Sequence, residues 1–443
     1  MTTSGTRLPD RGHGPWSRSR TTALGAIVGG VLLVAGALGG RPDLAALGAP
    51  LVVWAVWAWS RRPATDVVVR LGPPDEARGE SGDLRAAVRL DAPPGTGAVV
   101  LTVRRSNRRQ AEAVVRVRGS RTVPLAVHTV RTGPQTVAEV DAIGLGVGAA
   151  SVSEPVDPAA SSALVLPAPR PLGALPLPPR LRGLSGGHES RRPGEGGGLR
   201  DVHPYTPGDR LRRIDWRVTA RRSPQLQELY VRREHALAEA VVVLVVDSRD
   251  DVGPDPRTWR GSVRPRAQDP TSLDLARQAA TSVAQAFLEQ GDRVGLDDLG
   301  AVRRPLPPGG GRRQLDRIRN ALALTHPEGE PMRRVRAPQL PSGALVLVFS
   351  TFLDDAAALA AAQWRRAGHR VVAVDVLPTL REGALHDRER LAMRFVRMAR
   401  EDRLAAVTDA DVELVTWRDA PQVALAGLAR RTHRRAGAGA GAR

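Results

Sequence analysis

The sequence of 443 residues contains no cysteine and no lysine, so all 65 of its basic residues are arginine. Without cysteine the protein has no thiol nucleophile, no disulfide and no cysteine-bound zinc. Without lysine it has no Walker-A lysine, no Schiff-base nucleophile and no kinase-type strand lysine. These absences exclude most common enzyme chemistries, and we expect a protein that is not an enzyme.

Aromatic residues are also scarce, at 3% of the chain, whereas the formal net charge is high at +19. Proteins that bind single strands of nucleic acid combine a basic groove with aromatic side chains on which bases stack. Because aromatics are few and arginine is spread along the chain, we expect no nucleic acid partner. An anionic lipid surface makes better use of the charge. A cytoplasmic or surface-exposed module that recruits anionic lipid or nucleic acid through arginine is the alternative function.

Two apolar runs lie near the N-terminus, at residues 22–40 and 44–59. A helix needs roughly 20 apolar residues to cross a bilayer, and the short link between the runs allows only a hairpin. Arginines precede the pair, and Arg61 and Arg62 follow it. The positive-inside rule then predicts a two-span protein of the cell membrane with the bulk of the chain in the cytoplasm. The alternative is a signal peptide cleaved at the small residues 35–37, which would place the remaining chain outside.

The rest of the chain changes character twice. Short alternating runs after the hairpin predict a small antiparallel β-sandwich, because every second side chain then faces one core. Beyond residue 240, strands alternate with helices, which predicts a doubly wound α/β sheet whose first helix is capped by Asp269 and Pro270. The predicted order is a basic cytoplasmic N-terminus (1–21), a transmembrane hairpin (22–62), a β-sandwich-like domain (63–168), a Pro/Gly/Arg-rich linker (169–198), a signature segment (199–239), an α/β domain (240–432) and a disordered tail (433–443).

The most specific pattern of the chain surrounds a Pro-Gly turn just before the α/β domain. Its residues are Tyr205, Pro207, Gly208, Asp209, Arg212, Arg213, Ile214, Asp215, Trp216 and Arg221. This order of a Tyr, a Pro-Gly-Asp, an Arg, an Ile-Asp-Trp and an Ala-Arg resembles the signature of the bacterial family called domain of unknown function 58. The resemblance extends from about Asp141 to the last helix.

Membership of that family implies a von Willebrand factor A-like fold for the α/β domain. It also implies a MoxR-type AAA+ ATPase as a partner, together with other membrane or envelope proteins. The function that the resemblance implies is a membrane-anchored adaptor, which works with the ATPase in the assembly or maturation of a partner.

The resemblance also implies where a divalent cation would bind. The von Willebrand type holds the ion through Asp-x-Ser-x-Ser after the first strand, and one coordination position stays free for a partner's carboxylate. Here Asp247 matches the leading carboxylate, but Arg249 and Asp251 replace the two serines. In the later loop, Thr351 follows Ser350 where the family usually has Asp. We expect no cofactor; Asp247 and Asp251 are the remaining metal candidates, and Arg249 is expected to repel a cation.

Other carboxylates at the expected strand ends have simpler roles. Four are expected to be caps or solvated loop residues rather than ligands: Asp250, Asp251, Asp354 and Asp355. Asp375 is either a satisfied buried carboxylate or a ligand. A hydrolase that uses Asp247 or His203 is the enzyme alternative, although the sequence shows no set of nucleophile, base and orienting residue.

The charges of the signature admit two interpretations. Asp209, Asp215 and the arginines form either a structural ion network or a surface on which a partner docks. Ile214 and Trp216 favour the structural interpretation, because apolar side chains beside the charges indicate partial burial.

Overall fold

The computed structural model describes residues 16–72, 82–105, 108–183, 186–259, 263, 266, 268–301, 304–328 and 340–438. The chain divides into two compact units. The first comprises residues 1–129 and 134–165, and the second comprises residues 130–133 and 166–443. The protein is a mixed α/β structure with two apolar N-terminal helices and several sheets, which confirms the fold class expected from the sequence at that level.

Two helices open the first unit: α1 (Arg20–Leu38) and α2 (Pro42–Ser60). Both are long and apolar enough to cross a membrane, and most of their surface is exposed. They approach closely because glycines lie at their contact. A methyl group built on Gly48 would lie only 2.4 Å from the carbonyl oxygen of Gly29. The two helices therefore form a tight hairpin with apolar outer faces.

Two antiparallel sheets with a common core complete the first unit. Their strands are β1 (Ser17–Arg18), β2 (Val68–Leu71), β3 (Asp83–Asp91), β4 (Thr96–Arg105), β5 (Arg108–Val115), β6 (Ser120–His128), β7 (Gly133–Gly146), β8 (Ser151–Val152) and β9 (Ala159–Val165). The larger sheet has the order β1-β8-β7-β4-β5 with β9 beside β7, and the smaller has the order β2-β3-β6. Trp16, which precedes the hairpin, is buried in the core between the sheets together with Leu90 and Val99.

The second unit begins with an extended segment in the region that the sequence predicted to be a loose linker. Leu172, Leu175, Leu177 and Leu181 pack against the core of the α/β domain. Residues 188–198, also assigned to the linker, lie in a long strand. The linker prediction is wrong here, because four leucines bury apolar surface despite the Pro-rich composition.

That long strand is one side of a two-stranded antiparallel arm. The strand β10 (His188–Pro204) pairs with β11 (Tyr230–Ala238). Between them lie a 3₁₀ turn at Leu211–Arg213 and the short helix α3 (Trp216–Arg222). Residues 205–229 are called the arm tip below. The family-like signature thus lies mostly at the arm tip.

The α/β domain is built on a sheet of five parallel strands and one antiparallel edge strand. The strands are β12 (Val241–Val246), β13 (Arg293–Asp298), β14 (Leu306–Gly309), β15 (Leu345–Ser350), β16 (Arg370–Asp375) and β17 (Glu413–Thr416). Their order is β14-β13-β12-β15-β16-β17. The sequence predicted the parallel strands and missed β14, an edge strand that contains two prolines.

Five helices cover the sheet: α4 (Ser272–Glu289), α5 (Arg312–Leu324), α6 (Asp355–Arg366), α7 (Asp387–Asp409) and α8 (Pro421–Ala438). Helices α4, α5 and α8 share a core with Val242 and Leu244 of β12. Helices α6 and α7 share a separate core with Val243 and Val245. Because alternate residues of β12 face opposite sides, the strand is buried on both faces.

The structure corrects two sequence predictions, one at the start of α4 and one at the end of α8. The cap of α4 is Thr271, which forms a reciprocal capping box with Asp274, rather than Asp269 and Pro270. Helix α8 runs to Ala438, so the disordered tail expected from residue 433 is wrong up to that point. Residues 439–443, like the basic residues 1–15, lie outside the described part of the chain.

Candidate functional site

Three neighbouring parallel strands bring polar residues to one edge of the α/β sheet. Asp247 follows β12, Ser350 ends β15 and Asp375 ends β16, and all three are buried. The Ser350 hydroxyl donates a hydrogen bond of 2.7 Å to Asp247 Oδ2. Ligands of open α/β sheets bind beyond the carboxyl ends of the strands. The residues that the sequence singled out therefore do meet at the expected edge.

Arg249 fills the space between two carboxylates at this edge. Its Nε and Nη2 donate to the two oxygens of Asp247, each at 2.7 Å. Its Nη1 and Nη2 donate to Asp354 at 2.7 and 3.0 Å. Asp354 also caps α6 by accepting from the Ala356 amide, as the sequence predicted. The guanidinium thus ties the end of β12 to the start of α6 through charge-assisted hydrogen bonds.

The electrostatics of the edge follow from this arrangement. Burial alone would lower the pKa of Arg249, but the hydrogen bonds and charges of Asp247 and Asp354 raise it above its usual value. Burial raises the pKa of Asp250, and the charges of Asp247 and Asp354 raise it further. The hydrogen bond that Asp250 accepts from the Thr351 hydroxyl is long, at 3.5 Å. The ionised form of Asp250 is therefore disfavoured, although the neighbouring Asp247 is neutralised by Arg249.

These contacts do not fit a divalent cation. Both oxygens of Asp247 already accept hydrogen bonds from Arg249. Asp251 lies 3.5 Å from Arg131, so it is not aimed at Asp247. Within the part of the chain that the structure describes, no group of three or more His, Asp or Glu side chains could hold a metal ion. The two metal candidates thus belong to different ion pairs. The sequence suggested only that Arg249 would repel a cation. In the structure, its guanidinium also supplies the positive charge that pairs with Asp247.

A second buried ion pair lies beside the first. Arg400 Nη2 is 2.5 Å from Asp375 Oδ1, and Arg400 Nε donates to the Thr351 carbonyl at 2.7 Å. Asp375 also accepts from the Leu377 amide at 3.0 Å, so it is a satisfied buried carboxylate. Asp355 is exposed and pairs with Arg403. Sequence reasoning missed Arg400, because nothing in the arginine-rich helix α7 distinguishes it from its exposed neighbours.

The first half of the arm tip is a tight turn held by Asp209. Gly208 adopts a φ of +107°, which glycine permits, and the Asp209 amide donates to the Thr206 carbonyl at 3.0 Å. The Thr206 amide and hydroxyl donate in return to Asp209 Oδ2 at 3.0 and 2.8 Å. The Thr206 backbone and side-chain hydrogen bonds lower the pKa of Asp209. Asp209 is therefore a turn residue, and Arg233 reaches it only at 3.7 Å.

The second half of the arm tip is fixed by Asp215 and Thr219. Asp215 caps α3 by accepting from the Arg217 and Val218 amides at 3.1 and 3.0 Å. The buried Thr219 hydroxyl accepts from the Tyr230 amide at 2.9 Å and so joins α3 to β11. The nearest guanidinium nitrogen to Asp215 is Arg232 Nε, at 3.9 Å. Backbone capping, rather than charge pairing with the signature arginines, is the main role of Asp215.

The apolar side chains of the arm tip differ from the prediction. Ile214 is half-buried and forms a β-bridge with Val231, as expected. Trp216, however, is 62% exposed and Leu211 is 65% exposed, so the expected burial of Trp216 is wrong. Trp216 is the first residue of the short helix α3, whose buried residue is Thr219. Arg212 and Arg221 are also exposed, and Tyr205 is half-buried.

His203 shows no catalytic arrangement. Its Nδ1 faces the Pro204 carbonyl, and its Nε2 lies 3.6 Å from Asp209 Oδ2. Asp209 is itself held by Thr206, so it is not poised as an orienting carboxylate for a nucleophile.

The described residues define a class of protein: an α/β domain that carries a β-hairpin arm. The carboxylates at the edge of its sheet are neutralised by arginines of the same domain. Residues 201–393 match the model of the family described as protein of unknown function DUF58, and this part of the chain belongs to that family. The match begins in β10 and ends in α7, which is a shorter region than the resemblance suggested. Among curated proteins, none matches the chain significantly.

Proposed function

We propose that the protein is a membrane-anchored, non-enzymatic docking protein, and that its DUF58 domain binds a partner protein through the arm tip. By its family resemblance, the partner is a MoxR-type AAA+ ATPase, and the process is the assembly or maturation of other membrane or envelope proteins. The α/β domain is then a von Willebrand factor A-like scaffold that presents the arm.

The exposure of Trp216 and Leu211 is the observation that carries this proposal. Tryptophan and arginine are among the side chains most enriched in binding hot spots, and here an exposed indole lies in an arginine-rich segment. The arm tip also holds six arginines against three acidic residues. Its two signature carboxylates, Asp209 and Asp215, are committed to a turn and a helix cap. The chemistry left at the surface is apolar and cationic, and it suits an acidic protein face with an apolar pocket.

The sheet edge supports a scaffold role rather than catalysis. A metal-dependent A-like domain captures a partner's carboxylate through an open metal position. Here Arg249 bonds to both Asp247 and Asp354, and Arg400 pairs with Asp375. Capture of the partner therefore falls to another surface, and the arm tip is the best candidate.

Membrane anchoring is supported by the way the hairpin joins the sheets of the first unit. Trp16, upstream of α1, is buried between the sheets, and its Nε1 donates to the Thr65 carbonyl, downstream of α2, at 3.0 Å. Removal of α1 as a signal peptide would also remove this core residue. Arg18 stacks on Trp59 and Arg61 on Trp57, at 4.7 and 4.6 Å. Such Arg-flanked tryptophans suit the cytoplasmic interface of two spans.

The partner surface can be tested with full-length protein in lipid nanodiscs. Trp216→Ala should weaken binding to a MoxR-type ATPase of the same cell at least about tenfold, as expected for a hot-spot aromatic. Phe395→Ala is the matched control, because Phe395 is equally exposed, at 63%, but lies on α7. Equal binding by wild type and Trp216→Ala, or equal losses in both variants, would refute the arm-tip site. Binding of the arm tip to anionic vesicles without any protein partner would favour the lipid-recruiting alternative.

The orientation can be tested separately, because the chain has no cysteine of its own. Val114→Cys places a thiol at a residue that is 67% exposed. It should resist an impermeant maleimide in intact cells and react after permeabilisation. Labelling in intact cells would overturn the cytoplasmic placement.

A further inference from the structure

One turn of the larger sheet in the first unit packs against the hairpin at a point well inside α2. The turn, Val147–Ala149, is a 3₁₀ turn that connects β7 to β8. Gly148 lies so close to Trp54 that a methyl group built on it would be 2.2 Å from the indole ring. The Trp59 indole and the Ser19 amide both donate to the Ala150 carbonyl, at 3.2 and 2.9 Å. The turn is therefore fixed to the helices by contacts with both of them.

The position of Trp54 sets the depth of this turn. Helix α2 ends at Ser60, and Trp54 lies six residues earlier. At 1.5 Å per residue, Trp54 is about 9 Å along the helix axis from its end. A helix of 19 residues only just spans a hydrocarbon core of about 30 Å, so the end of α2 lies near the headgroups. A residue packed on Trp54 then lies at the boundary between headgroups and hydrocarbon rather than in water.

The composition of the turn fits that depth. From Ala142 to Ser153 the chain carries no charged residue, although charged residues make up 25% of the sequence. Val147 is half-buried, while Gly148 and Ala149 are exposed. An exposed turn between two strands in water ordinarily carries polar side chains. Trp54, which contacts Gly148, also packs against Trp57 with ring centroids 5.3 Å apart, and tryptophan is enriched at the membrane–water interface.

We propose that the Val147–Ala149 turn is a third membrane contact and inserts into the headgroup layer of the bilayer crossed by α1 and α2. It holds the sheets of the first unit against the membrane surface, so that they do not swing freely on the hairpin. The inference rests on the proposed membrane anchoring.

Single cysteines in the full-length chain test the insertion. Ala149→Cys, Val31→Cys and Val114→Cys are labelled with bimane and reconstituted into vesicles whose lipids carry nitroxide quenchers at the headgroup or deep in the acyl chain. Val31 is an exposed residue of α1 and reports the span, whereas Val114 is exposed on β5 and reports a surface away from the turn. We expect shallow quenchers to remove most of the fluorescence at Ala149→Cys and little at Val114→Cys.

The three labels distinguish failure of the inserted turn from failure of the membrane anchoring. Quenching at Val31→Cys by deep nitroxides, with Ala149→Cys unquenched like Val114→Cys, would overturn the inserted turn and leave the spans intact. No quenching at Val31→Cys would overturn the membrane anchoring, and the inserted turn with it. Strong quenching of all three by shallow nitroxides would also refute the turn as a specific contact.

Discussion

Replacement of Arg249 by methionine is expected to be the most damaging single change at the sheet edge. It leaves Asp247, whose side chain is 3% exposed, without its charge partner. Removal of one partner of a buried ion pair costs about 3–5 kcal/mol. The contact with Asp354 contributes less, because that side chain is 46% exposed and water screens it. We therefore expect a loss near the lower end, about 3 kcal/mol, which is a fall of roughly 5 °C in Tm for a unit of this size.

The assay is thermal unfolding of the full chain in detergent, followed by tryptophan fluorescence and by proteolysis of the second unit. Arg257→Met is the matched control: Arg257 makes an equivalent pair with Asp255, but its side chain is 35% exposed, so solvent screens the pair and its loss should lower Tm much less. Adding Asp247→Asn to Arg249→Met should recover part of the loss, because the uncompensated charge is removed. Equal Tm values for Arg249→Met and Arg257→Met, or no recovery in the double variant, would refute the interpretation that Arg249 neutralises the buried Asp247.

Changes at four further positions test the arm tip, the sheet edge and the hairpin. Asp215→Ala should cost about 1 kcal/mol by loss of the α3 cap, whereas Asp215→Asn should stay near wild type in thermal unfolding, since asparagine also caps; equal losses would favour charge pairing. Asp250→Asn should stabilise the protein at neutral pH, because an acid whose pKa is raised on folding costs stability once ionised; the gain should shrink as pH falls through that pKa. Asp209→Asn should do the opposite, with a loss at neutral pH that vanishes in acid, because the pKa of Asp209 is lowered. Gly48→Leu should open the hairpin and increase its protease cleavage in detergent, while Gly30→Leu, at a glycine with open space, should not.

The elements that sequence reasoning located are those whose pattern is local. The apolar run of β12 ends at Asp247, and burial on both faces of a parallel sheet requires such a run. Strand β10 was missed because its pairing is not local: it is rich in Gly and Arg, and it becomes a strand only through β11, more than twenty residues away. Similarly, the leucines around Leu175 could not be placed without the core that they cover.

The candidate site shows the same limit at the level of side chains. The sequence placed Asp247, Arg249 and Ser350 near one another through the order of the strands. It could not show that the Arg249 guanidinium folds back onto its own neighbour and also reaches Asp354, because that depends on where α6 starts relative to β12. The predicted burial of Trp216 was wrong for a related reason. An apolar residue beside a half-buried isoleucine suggests burial, but a helix that begins at Trp216 turns the ring outward.

The absence of lysine connects the two regions on which the proposed function depends. At the sheet edge, two carboxylates must be neutralised by one cation in a nearly closed space, and a planar guanidinium with several fixed donors can serve both. At the arm tip, Arg217 and Arg221 are exposed, as is the Trp216 indole, and the same planar group can there stack on aromatic rings or pair with carboxylates of a partner. Arginine thus occupies the sheet edge at which related folds bind a ligand. At the arm tip, we expect the same side-chain type to contact the partner. The difference between the two roles is set by burial, since the buried Arg249 guanidinium already donates to both Asp247 and Asp354, whereas Arg217 and Arg221 of the arm tip are exposed.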